Sequence, residues 1–139
     1  MTSTGASPDI HFIETVDSTL NELARAHNAD PHLADFSTVV AGHQKAGRGR
    51  SGRTWSDING TALLMSTLVR IDNQRLSWIT LVAGIAVARV LSERGIDARL
   101  KWPNDVIVDD RKVCGILAEH LDVDVTTGIH TIALGIGLN

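Results

Sequence analysis

Residues 42 to 55 read G-H-Q-K-A-G-R-G-R-S-G-R-T-W. Lys45, Arg48, Arg50 and Arg53 put four positive charges into nine residues with no acid among them. Gly47, Gly49 and Gly52 keep the backbone between them open to close approach by a ligand. Arginine presents a planar fork of donors that matches phosphate and carboxylate. The stretch therefore reads as a flexible anion-binding loop, although a solvated basic turn has the same composition. Outside it, 9 basic residues face 16 acidic ones, so the remainder carries −7 while the loop carries +4.

The spacing Gly47-x-Gly49-x-x-Gly52 also matches the dinucleotide fingerprint, which would make the fold a doubly wound parallel sheet. That fingerprint needs a strand before it and an amphipathic helix opening directly after it. A buried strand at 36–41 meets the first requirement. The second fails, because 56–60 (S-D-I-N-G) and a strand-like run at 61–70 follow the loop. No helix offers its N-terminus to a pyrophosphate, so the Rossmann reading is set aside.

At 139 residues the chain suits one domain with one core. Hydrophobic residues at 43% and charged residues at 21% are ordinary for a globular protein. A net charge of −3 gives no general attraction to nucleic acid or anionic membrane. Cys114 is the single cysteine, which excludes an intrachain disulfide and fits a reducing compartment. Residues 1–8 have neither the basic nor the apolar region of a secretory signal. The longest apolar-rich stretch, 78–88, is too short for a bilayer and ends at Arg89. A cytoplasmic location is expected. The six histidines, at 11, 27, 32, 43, 120 and 130, lack ligand-like spacing, so no structural zinc site is expected, and His43 reads as a partly exposed bystander.

Residues 1–9 read as a disordered lead and 10–16 as a short strand. Thr19 as N-cap would place Glu22 at the third helical position, a capping box, with Leu20, Leu23, Ala24 and His27 on one face. Residues 28–31 close that helix. The run 61–69 is expected to return antiparallel to the 36–41 strand. Ser77 caps a helix from Trp78 to about Arg94, stopped by Gly95 and apolar on most sides, hence largely buried. Residues 98–102, 106–108, 113–119 and 131–135 are strands, with a tight hairpin at Asp109-Asp110-Arg111. The expected class is α+β with a mixed, mainly antiparallel sheet flanked by helices.

Four more places carry polar residues that a plain core would not select. Residues 101–105, K-W-P-N-D, set a lysine, an amide and a carboxylate around a proline turn. Lys112 opens the strand K-V-C-G-I-L at 112–117. Residues 135–139, G-I-G-L-N, interrupt a strand with two glycines, marking a bulge or backbone close to a ligand. Gln44 supplies a donor and an acceptor at the mouth of the basic loop. These motifs, in this order and across roughly 10–139, resemble those of the biotin protein ligases.

The resemblance implies the biotin/lipoate ligase catalytic fold, related to class II synthetases, and a two-step ligase reaction. Biotin carboxylate attacks the α-phosphate of ATP to give biotinyl-5'-AMP and pyrophosphate. A lysine of a biotin carboxyl carrier domain then takes the biotinyl group. By this resemblance Lys112 and Arg48 are the catalytic cations, with Lys112 bridging carboxylate and α-phosphate. Spacing alone would read Lys112 as a solvated hairpin lysine. Ser18, Thr19, Gln44, Gly47, Arg48, Arg50, Lys112 and Gly115 would bind biotin. Arg48, Arg50, Arg53, Trp55, Asn104, Asp105, Lys112, Gly135, Gly137 and Asn139 would bind the nucleotide end. Trp55 is either a core tryptophan or the aromatic that packs on the adenylate; Trp78 and Trp102 read as packing residues. Magnesium is implied through ATP, with no dedicated metal ligands.

Leu20 stands where many members of that family have a polar residue. The match implies no N-terminal helix-turn-helix and no C-terminal β-barrel within these residues, and an incomplete catalytic domain. Weak or absent ligase activity is expected on that basis, as is no DNA or membrane partner; homodimerisation is left open. The competing expectations are a lipoate-type ligase, a biotin-binding remnant without transfer, and a basic nucleic-acid module, which lacks an aromatic platform.

Overall fold

A computed structural model of the chain describes residues 7–139. The lead expected over 1–9 lies outside these for 1–6, and 7–9 carry no regular structure. One seven-stranded sheet organises the rest. In chain order its strands are β1 (Ile10–Val16), β2 (Thr38–Gln44), β3 (Leu63–Asp72), β4 (Ala98–Lys101), β5 (Asp105–Val108), β6 (Arg111–Asp124) and β7 (Ile129–Leu138). They lie side by side as β1-β2-β3-β7-β6-β5-β4. β1 and β2 are parallel and every other neighbouring pair is antiparallel. This is the mixed, mainly antiparallel α+β sheet expected from the sequence. β3, and no helix, follows the basic loop, which removes the dinucleotide-binding alternative.

Two helices cover the sheet, α1 (Thr19–Ala29) and α2 (Ile79–Ser92). Leu20 and Leu23 of α1 pack with Val39, Leu68 and Ala133. Ile79 and Ala83 of α2 pack with Val106, Cys114, Ile116, Ile132 and Leu134 on the other face. Alternate residues of the central strands thus feed two cores, as the period of two demands. Cys114 belongs to the second core, where burial pushes its thiol up to about 11 and keeps it neutral.

Several local expectations fail for tertiary reasons. Phe36 is not in a strand: it sits at φ 66° in a turn, and β2 starts two residues later. Ser18, not Thr19, is the N-cap of α1. The capping box is absent because Thr19 N–H donates to Gln44 Oε1 at 2.7 Å, while Glu22 accepts from Arg25. Ser77 lies inside a single 3-10 turn (Leu76–Trp78) and caps nothing. α2 buries one stripe only, with Val82 60% exposed and Ile85 50% exposed, because it meets one sheet face and, among the described residues, nothing on its outer side. Trp78 at 58% and Trp102 at 81% are surface residues, not packing residues. Of the two readings of Gly135 and Gly137, a bulge or backbone open to a ligand, the bulge is absent: β7 pairs in register through that stretch, and the β6 irregularity falls at 120–122.

Ahead of α1, Asp17 accepts from Arg25 at 2.7 Å and from Asn21 at 2.7 Å. Arg25 first, and Asn21 second, hold its carboxyl well below the usual carboxylate range. A depressed folded-state value contributes stability above the unfolded value near 4 and loses it as pH falls below that. Both partners are largely solvated, so the contribution is under about 1 kcal/mol. Asp17→Asn is therefore expected to lower stability slightly at pH 7, with the difference shrinking toward pH 2, as denaturant unfolding at the two pH values would show.

Candidate active site

β2 delivers the basic loop to the start of α1. Lys45 N–H donates to Val16 O and Ala46 N–H to Asp17 O, which continues the β1–β2 pairing past the strand end. The loop then closes on itself as a small hairpin. Gly49 N–H donates to Arg53 O at 2.7 Å and Trp55 N–H to Gly47 O at 2.9 Å. Ser51 at φ 56° and Gly52 at φ 72° make its tip, a left-handed pair of which Gly52 alone adopts that backbone without strain.

Beneath this hairpin lies a cavity of about 240 Å³. Ser18, Thr19, Gln44, Arg48, Arg50, Arg53, Trp55, Asn104, Asp105, Lys112, Gly115, Gly135 and Gly137 all line it. Gly47 and Asn139 do not. Gly47 lies behind, against Gln44 Nε2 and Trp55 O, and Asn139 is exposed with its N–H bonded to Val113 O. Segments up to 119 residues apart in the chain (Ser18 to Gly137) thus meet around one space.

One end of the cavity is polar and uncharged. Gln44 Oε1 accepts from the Thr19 N–H at 2.7 Å and from the Thr19 hydroxyl at 3.1 Å, and that hydroxyl lies 2.8 Å from Ser66 Oγ. With its oxygen so used, the Gln44 amide nitrogen has no acceptor among the described residues. The Ser18 hydroxyl is fully buried and likewise has no partner among them. An orphaned buried hydroxyl is costly unless a ligand pairs with it.

The middle is a bare strip of backbone. Gly115 and Gly137 face each other across β6 and β7, and the Trp55 indole lies on both. A Cβ at Gly137 would fall 2.7 Å from Trp55 Cε2, and one at Gly115 would fall 2.7 Å from Trp55 Cζ3. Gly135 receives Leu20 in the same way, at 3.0 Å. Trp55 also packs with the buried trio Val16, Ala41 and Leu64, so it is at once a core residue and a wall of the site.

The other end is cationic. Lys112 and Arg50 lie there, Arg48 and Arg53 line the cavity from the hairpin, and Asp105 is the single carboxylate of the lining. Lys112 Nζ sits 2.8 Å from Asp105 Oδ1, an ion pair off the line of a directed hydrogen bond, and 5.5 Å from the Trp55 ring centre. The K-W-P-N-D turn is pinned to β6: Asn104 Nδ2 donates to Ile116 O and Ile116 N–H donates to Asn104 O. Arg50 reaches Asn104 Oδ1 at 3.3 Å. A neutral recognition end, an aromatic-capped slot and a cluster of cations can seat a ligand with a polar ring, an apolar chain and an anionic terminus.

The model of the biotin/lipoate A/B protein ligase family matches residues 12–139. The chain belongs to that family. It is 34% identical over 130 residues to the bifunctional ligase/repressor BirA of Bacillus subtilis, covering 91% of this chain and 38% of that protein. Among solved structures it is similar to the biotin protein ligase of Leishmania major in complex with biotin. The TM-score there is 0.79 at 29% identity, over 96% of this chain and 57% of that one. It is also similar to the Aquifex aeolicus biotin protein ligase in complex with biotin and ATP, with TM-score 0.74 and 32% identity, over 94% and 52%. The chain spans well under half the length of the curated relative and just over half of each solved ligase.

Membership in the ligase family does not by itself account for three residues that the motifs left out. His43 is partly exposed, as expected, and does not line the cavity; its Nδ1 lies 2.9 Å from Oδ2 of Asp57, whose side chain is almost wholly buried, so the pair fastens the end of the loop. Glu119 and Asn21 both hold Arg48. Strand alternation contained the signal for Glu119, which follows Gly115 and Leu117 at steps of two on the cavity face. Nothing local pointed to Asp57 or Asn21.

The contact between Trp55 and Gly137 yields a direct expectation. Gly137→Ala should drive the indole off the glycine strip, shifting the Trp55 indole N–H resonance and lowering stability by about 1–3 kcal/mol. An unshifted resonance would remove the contact from the account.

Proposed function

We propose that the chain binds biotin and ATP in this cavity, forms biotinyl-5'-AMP, and passes the biotinyl group to a lysine of a biotin carboxyl carrier domain. The observation that carries the reading is the orphaned Ser18 hydroxyl beside the uncommitted Gln44 amide, in one slot with Lys112 and Arg50 at its K-W-P-N-D end. A ureido ring needs matched donors and acceptors in an otherwise apolar slot. Biotin carries such a ring at one end and a carboxylate at the other.

In the first step a carboxylate oxygen bonds to the α-phosphorus and the bond to the bridging oxygen of pyrophosphate breaks. Two anions must meet, and negative charge gathers on the phosphoryl oxygens as they do. Lys112, at the edge of the glycine strip, is the group to bridge the carboxylate and the phosphate. Arg48 and Arg50 neutralise from the loop side, with Arg53 at the rim. In the second step the neutral amine of the carrier lysine attacks the acyl carbon of the mixed anhydride, AMP leaves, and the amine gives up a proton. The hairpin with Trp55 covers the slot and would keep water from the adenylate.

Magnesium normally accompanies ATP and takes one or two carboxylates together with phosphate oxygens. Asp105, with Asn104 beside it, fits that donor set and would hold the metal-bound nucleotide. A cytoplasmic setting agrees with one unpaired, buried cysteine.

The test is made under single-turnover conditions, so that slow activation is visible. Protein in excess over biotin, with ATP and magnesium, should yield protein-bound biotinyl-5'-AMP by mass spectrometry. Lys112→Ala should cut its formation on the order of a hundredfold. No adenylate with biotin, but adenylate with lipoate, would move the chain to the lipoate branch. No adenylate with either acid would leave the reading without its chemistry.

A further inference from the structure

Of the loop arginines, Arg48 is the one that a carboxylate grips among the described residues. Its Nη1 lies 2.6 Å from Glu119 Oε1 and its Nη2 donates to Glu119 Oε2 at 2.9 Å. The second Nη2 hydrogen goes to Asn21 Oδ1 at 2.7 Å. Both Nη2 hydrogens are thus committed and Nη1 is in ion-pair contact with the same carboxylate, which leaves Nε–H and the Nη1 side of the fork for an outside anion.

The partners come from two separate parts of the fold. Glu119 is 71 residues away on β6, on the strand face that carries Gly115. Asn21 is in the first turn of α1 and donates in turn to Asp17 at 2.7 Å, beside Ser18 and Thr19. Arg48 itself stands between Gly47 and Gly49, on a hairpin whose backbone bonds are mostly to itself. Glycine neighbours do little to fix a side chain. Position must come from elsewhere, and two contacts supply it: Trp55 on one arm of the hairpin and Arg48 on the facing arm, the arms being joined by the Arg48–Thr54 bridge.

We propose that Glu119 and Asn21 are positioning residues: they hold Arg48, and through it the 47–55 hairpin, over the cavity, so that its remaining donors meet the substrate anion already oriented. An isolated surface ion pair adds little. This one sets two guanidinium nitrogens against two carboxylate oxygens, adds a hydrogen bond to Asn21, and joins a loop to a strand and a helix, which is where a fork-shaped donor adds direction as well as attraction. The part concerning the substrate anion rests on the ligase reading; the part concerning the hairpin does not.

The test uses the whole chain with Trp78→Phe and Trp102→Phe, both surface positions, so that Trp55 is the only tryptophan. Acrylamide quenching then reports how far the hairpin lifts, and circular dichroism confirms that each variant is folded. Glu119→Ala is expected to raise the quenching constant on the order of threefold, and Glu119→Gln, which keeps shape and one acceptor, by less. Arg48→Ala should match Glu119→Ala, and the double variant should exceed neither. If Glu119→Ala does not fold, Glu119→Gln with Asn21→Ala carries the comparison. Biotin affinity in the presence of ATP should fall about fivefold in Glu119→Ala and recover partly in Glu119→Gln. Unchanged Trp55 quenching, or single effects that multiply in the double variant, would overturn the proposal. Quenching that responds as described in a protein that never binds biotin would refute the ligase reading and leave the hairpin contact standing.

Discussion

Two glycines facing each other across β6 and β7 set the terms for everything around them. Because Gly115 and Gly137 are paired in register, their missing side chains fall on the same face and expose a patch of bare backbone at the centre of the sheet. The Trp55 ring can lie flat there only because neither position has a Cβ. A slip of one residue would present Ile116 and Leu138 or Ile136 instead and close the slot. The two cores either side of the sheet, built on Leu68 and Ala133 under α1 and on Ile116 and Ile132 under α2, hold the register that keeps the patch open. The fold's stability and the shape of its site are therefore the same constraint seen from two sides.

From that patch the site divides by chemistry. Toward α1 the groups are neutral and directional, and most of them are already matched, so an unmatched hydroxyl at Ser18 stands out. Toward β5 the groups are cationic, with Asp105 tempering Lys112, while on the hairpin above the slot Glu119 tempers Arg48. Placing the charge on a glycine-rich loop lets it approach a bound anion, while the tryptophan at the loop's end ties its position to the sheet. A ligand that spans the slot would touch both ends and the ring between them.

Much of this was legible in the sequence. The strands and the mixed sheet follow from apolar period and turn signals, and the convergence of the G-R-G-R, K-W-P-N-D, K-V-C-G-I-L and G-I-G-L-N segments is what their resemblance to the biotin protein ligases implied. What failed depended on residues far apart in the chain. Thr19 looked like a helix cap until the Gln44 amide, 25 residues on, took its N–H. α2 looked buried because its composition is apolar all round, but only one stripe has a sheet to meet. Trp102 looked like packing because tryptophan usually is, yet its turn is fixed by Asn104 and leaves the ring in solvent. The roles of Glu119, Asn21 and Asp57 are tertiary facts about one arginine and one loop.

The central claim is that one cavity takes a biotin-like molecule at its neutral end and a nucleotide at its cationic end. Calorimetric titration of the chain with biotin, first alone and then with ATP and magnesium, addresses it most directly. The account predicts one biotin per chain, with affinity rising on the order of tenfold or more once the nucleotide is present. Biotin binding that ATP leaves unchanged, or no binding by a folded sample, would contradict it.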